Sequence, residues 1–78
     1  MATIANTLDT AFTPSTGTFI VQCTRGEALL QRRGTSGADW VVCQYLKDGD
    51  GPVVDNPCGT AQYRFVKTSG SPVVQADQ

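Results

Sequence analysis

Seventy-eight residues leave room for one small domain, which buries only about 60% of the surface that its unfolded chain exposes. With 40% hydrophobic and 17% charged residues the chain is too apolar for disorder, and no apolar run approaches the roughly 18 residues of a membrane span. Six cations against seven acids give a formal charge of −1, which argues against nucleic acid as a partner, and the absence of histidine removes the commonest general base and metal ligand.

The first seventeen residues, MATIANTLDTAFTPSTG, hold five threonines and Pro14 around isolated Ile4, Leu8 and Phe12. They lack the basic and apolar regions of a secretory leader, so the expectation is a chain made in the cytoplasm. A spacing of four suggests one helical face, but threonine is poor helix material and Pro14 would stop the helix. Residues 1–17 therefore read as an extended arm whose three apolar side chains dock on something, a neighbouring copy among the candidates.

From Thr18 the pattern becomes short strand-like runs between turn signals, and residues 18–78 read as one β domain. Thr18-Phe-Ile-Val-Gln-Cys23 is rich in β-branched and aromatic residues, with Phe19, Val21 and Cys23 on one face. Thr24–Glu27 reads as a turn, followed by Ala28–Arg33. After a second turn at Gly34–Asp39, the strongest run is Trp40-Val-Val-Cys-Gln-Tyr-Leu46. Val41, Cys43 and Tyr45 alternate with Trp40, Val42 and Leu46, and Trp40 is the expected core anchor. Lys47–Gly51 turns into the short run Pro52–Asp55, and Asn56-Pro-Cys-Gly59 suits a β-turn. Gln62-Tyr-Arg-Phe-Val-Lys67 alternates, Thr68–Ser71 turns, and Pro72-Val-Val-Gln-Ala76 closes the chain as an exposed strand. Six short strands at intervals of about ten residues, with no convincing helix, predict a small antiparallel β-sandwich or barrel.

Nothing in this inventory assembles a catalytic, cofactor or metal site. Cys23, Cys43 and Cys58 are widely spaced, form no CxxC and have no activating context, so they read as small core or half-buried residues of a reducing compartment. Asp48 and Asp50 resemble the start of a calcium loop, but position 59, where its glutamate belongs, is glycine. Arg32 and Arg33 read as a solvated face rather than an anion binder. Trp40, Tyr45 and Tyr63 are the residues with which a binding module would stack on a sugar.

The series Leu29-Leu-Gln-Arg-Arg33, Gly37-Ala-Asp-Trp-Val-Val42, Val53-Val-Asp-Asn-Pro57 and Gln62-Tyr-Arg-Phe-Val66 resembles a class of very small bacteriophage structural proteins, over most of the chain from Phe19 onward. The resemblance implies a non-enzymatic virion component: a capsid decoration (cement) protein that binds and stabilises the assembled head in many copies, or a small neck, tail or fibre attachment. Its implied partners are capsid or other virion proteins, with neither nucleic acid nor membrane. A weakly cored domain without metal or disulfides gains stability by association, so self-association is also expected. Ile4, Leu8 and Phe12 of the arm and Val73 and Val74 of the last strand are the expected partner-binding residues. The other reading is a small β-sandwich adhesin using exposed aromatics.

Overall fold

A computed structural model describes residues 1–78 and contains strands only: β1 (Thr3–Ala5), β2 (Gly17–Arg33), β3 (Val41–Leu46), β4 (Val53–Asn56) and β5 (Gln62–Asp77). All pairings are antiparallel within one sheet, ordered β1-β5-β2-β3, with β4 also on β2. The all-β expectation holds. The six short strands do not, because two pairs of them are continuous.

The frame is the ribbon of β2 and β5, paired from Ile20↔Asp77 to Arg33↔Gln62. Their first and last segments are β-branched and aromatic, as a half-buried pleated surface requires. Between them lie Thr24–Glu27 and Thr68–Ser71, both expected to reverse the chain. Here they face each other across the ribbon and absorb two register shifts, one between Thr24 and Gly26 and one between Glu27 and Ala28. Such bulges bend a strand without ending it. Gly26 and Gly70 make the close approach at the bend: a Cβ on Gly26 would stand 2.7 Å from the Ser69 carbonyl oxygen, and Gly70 adopts φ +67°.

The bend also resets the alternation. Phe19, Val21 and Cys23 point inward before it on β2, and Ala28 and Leu30 after it. On β5 the inward set changes from Tyr63 and Phe65 to Val74 and Ala76. One sheet thus folds over itself, and its two halves meet in a core of twelve buried residues. Phe19 from one half stands edge-on to Tyr63 from the other, ring centroids 5.0 Å apart. A sheet with a single bent path takes the place of the two separate layers that a sandwich has.

Both flanks of the ribbon are followed by less regular chain. On the β2 side, β3 pairs with the second half, Leu29↔Tyr45 among its partners, and β4 with the first, Phe19↔Val54 among its partners. The connecting turn stays bonded across the bend, with Cys23 N donating to Asp50 O and Gly49 N to Cys23 O. On the β5 side the amino-terminal segment follows, first as β1 on Ala76 and Asp77, then through single bridges from Leu8 to Phe65 and from Phe12 to Tyr63.

This last element corrects the reading of a lead-in reaching for a partner. Ile4, Leu8 and Phe12 pack against the chain's own core. The Phe12 ring lies 5.6 Å from Phe65 and 6.2 Å from Phe19. The reason is coverage: β5 has an open flank, and three apolar side chains on an adjacent segment of the same chain close it without the entropic cost of recruiting a second molecule. Buried Asn56 secures the far end, donating to the carbonyls of Pro14 and Ser15 and accepting from the Tyr63 hydroxyl at 3.1 Å. Of the expected exposed strand Pro72–Ala76, Val73 to Ala76 pair with β2, and on the other flank β1 covers Ala76 and Asp77.

Candidate interaction surfaces

Two adjacent residues of a strand point to opposite faces, and this separates the expected partner-binding pair at the carboxyl terminus. Val74 is buried in the core, whereas Val73 is 53% exposed on the outer face. Of the five residues expected to meet a partner, Val73 alone is free; Ile4, Leu8 and Phe12 are half-buried against the core. The other bare apolar side chains of the strands lie on β3 and β4: Tyr45 (69% exposed), Val53 (64%), Val41 (56%) and Val42 (45%).

The register arranges these residues on the two outer faces of the folded sheet. On the second-half face, Tyr45, Leu29 and Val66 form one cross-strand row, and Val42, Gln31 and Arg64 the next. Arg33 opposite Gln62 completes it. The guanidinium of each arginine is 4.4 Å from the centroid of the Trp40 ring. The Nε–H of Arg33 donates to Gln62 Oε1 at 2.8 Å, and that of Arg64 to Gln31 Oε1 at 2.7 Å. Each cation–π contact is worth about 0.5–1 kcal/mol. Together these contacts fix two long side chains with their terminal N–H groups left for a ligand.

Trp40 is therefore not the core anchor. It is half-buried on the outer face, because a β-bulge in β3 puts Cys43 and Leu46 inward and two arginines reach the indole first. The true aromatic anchors are Tyr63, Phe19 and Phe65. A sugar stacking on Trp40 would compete with two guanidiniums, and fully buried Tyr63 offers it no ring. Of the three aromatics considered for such a role, Tyr45 alone is bare.

On the first-half face, Val53, Ile20 and Asp77 share a row, Asp55 lies opposite Thr18, Gln22 opposite Gln75, and Val73 opposite Thr24. Its acidic side chains are Asp55 and Asp77, the latter accepting from Gln75 Nε2 at both carboxylate oxygens. This face was not foreseen, although Val53 and Asp55 already alternate with Val54 and Asn56 in sequence. The missing signal was register, which brings Val53 and Asp77 together across β2.

A cleft of about 390 Å³ opens at the end of the second half, lined by Arg32, Arg33, Asp39, Val41 and Cys58 among others. The exposed Cys58 thiol lies 3.0 Å from the Thr60 hydroxyl, whose hydrogen bond, helped by the neighbouring backbone, holds its pKa below the ordinary thiol value. A chain without histidine offers this thiol no imidazole base. Burial, with Asp48 nearby, pushes the Cys23 thiol the other way. All three cysteines are free. Asp48 and Asp50 spend carboxylate oxygens on the turn, accepting from the backbone N–H of Arg25 and Lys47 respectively. No three His, Cys, Asp or Glu side chains stand together as a metal site, and no helix crosses a membrane.

Compared with protein-family models, curated proteins and solved structures, the chain has no match.

Proposed function

We propose that the chain is a non-enzymatic structural protein of a phage virion, a decoration (cement) protein that coats the assembled head in many copies and stabilises it. One observation supports this best. Tyr45, Val42, Val53 and Val73 stand bare on both outer faces of a domain whose core has only twelve residues. Apolar side chains held on regular strands, outside any cleft, suit broad contact with other protein surfaces rather than the enclosure of a substrate. Many weak contacts of this kind gain strength when copies are arrayed on a repeating lattice.

Quantitative mass spectrometry of density-purified particles tests the proposal. The expected result is a copy number in the hundreds on filled heads, with heat resistance of the heads falling when the protein is removed. Its absence from particles, or a handful of copies confined to the tail, would overturn the decoration role. Exposed Tyr45 favours a second reading, a sugar-binding adhesin. That reading predicts a saturable change in Tyr45 resonances on adding host-surface glycans, an effect which a decoration protein would not show.

A further inference from the structure

The two outer faces carry opposite charge and comparable apolar content. The second-half face holds Arg33 and Arg64 beside Trp40, Val42 and Tyr45. The first-half face holds Asp55 and Asp77 beside Val53, Ile20 and Val73. Because the halves meet through their inner sides, these faces look away from each other. No single molecule can bring its own two faces together.

We propose that the cationic face of one copy docks on the acidic face of a second copy of this chain. The guanidiniums are set for it: each has its Nε–H occupied by a glutamine and its plane held against Trp40, which leaves the terminal N–H groups as a fork for a carboxylate. Asp55 is exposed, one residue beyond buried Val54 and two from bare Val53, so it presents acid and apolar surface together. Tyr45 and Val42 supply the matching apolar surface on the other side. Of the remaining charged groups, Arg25, Lys47 and Lys67 gather about the bend with Glu27, Asp48 and Asp50, Arg32 lies opposite Tyr63 and shares the end cleft with Asp39, and Asp9 sits on the amino-terminal segment beside Phe65.

Such a contact is heterologous: the patch used on one copy differs from the patch used on the next. Each docked copy therefore still offers one free face, and association continues into a ring or an open row unless a cap intervenes. The virion role extends this contact to a lattice but is not needed for it, so absence from particles leaves the contact standing and its failure leaves particle binding standing.

Sedimentation velocity of the full chain, with two complementary variants, provides the test. The wild type is expected to grow in mean mass with concentration, and to shrink toward monomer as salt rises from about 50 to about 500 mM, since screening acts first on exposed ion pairs. Arg33→Glu/Arg64→Glu loses the cationic face and Val53→Ser/Asp55→Lys the acidic one; each alone is expected to associate at least tenfold more weakly. Mixed in equal amounts, they each retain one sound face and form a 1:1 dimer that grows no further. Val42→Thr/Tyr45→Ser, which leaves the arginines on Trp40, serves as the cationic-face variant if charge reversal unfolds the chain. A wild type that stays monomeric at millimolar concentration overturns the proposal. So does a dimer indifferent to both faces, or a mixture that stays monomeric.

Discussion

The amino-terminal segment and β3 occupy opposite flanks of the same folded sheet, and each brings a set of apolar side chains to its edge. Ile4, Leu8 and Phe12 turn them inward, onto the core. Val41, Val42 and Tyr45 keep theirs in solvent. The difference teaches that hydrophobic content does not make an edge segment adhesive; what counts is whether the molecule's own core has room for it. The β5 flank had a vacancy beside Phe65 and Tyr63, and Phe12 fills it. The β2 flank is closed by Leu46 and Cys43, so Val42 and Tyr45 stay on the outer face and Val41 stays in solvent at the cleft.

The largest contrast should come from truncating one side chain on each flank. Phe12→Ala is expected to cost about 3 kcal/mol of stability, as removal of a packed phenylalanine does, whereas Tyr45→Ala should change it by less than about 0.5 kcal/mol. Urea unfolding midpoints read both, and equal losses would erase the distinction between the flanks. Next in size, Gly26→Ala should cost about 2 kcal/mol, because its Cβ meets backbone atoms of Ser69, Ser71 and Pro72 that cannot swing aside. A neutral result there would mean that the sheet does not need the tight bend on which its two faces depend.

Smaller again, Tyr63→Phe should cost about 1 kcal/mol by leaving buried Asn56 Oδ1 without its donor. The same tyrosine sets the alkaline limit. Burial raises its pKa above the ordinary 10.0, and burial raises that of Cys23 above 9.0. For each group the folded state favours the protonated form. The stability it contributes is fully present below the unfolded value and is lost as pH rises through the folded one. Unfolding free energy should therefore decline above about pH 9 and more steeply above about pH 10, and Tyr63→Phe should remove the second decline. A profile flat to pH 11 would contradict the burial of both groups.

Composition and alternation made the strand class legible, and the runs Trp40–Leu46 and Gln62–Lys67 lie where strands were expected. The bend was not legible, because Gly26 and Gly70 carry the same local signal in a hairpin turn as in paired bulges; which of the two forms depends on the long-range pairing of β2 with β5. The surfaces were hidden for the same reason. Alternation puts Arg64 on the face opposite Tyr63 and Phe65, yet only register sets it beside Gln31 and within reach of Trp40. Val73 and Val74 were both expected at a contact, although strand geometry alone sends the two to opposite faces and leaves only Val73 exposed.

Trp40 is the only tryptophan in the chain and lies within the cationic face, so its accessibility reports directly on whether that face becomes covered. Acrylamide quenching of Trp40 fluorescence should be measured on dilute protein and again at concentrations where the mean mass has risen. If outer faces dock, the quenching slope falls by about half or more on association and recovers in Val53→Ser/Asp55→Lys, whose Trp40 face is intact but has no acidic partner. An unchanged slope in associated wild-type protein would show that copies meet elsewhere and that this face remains bare.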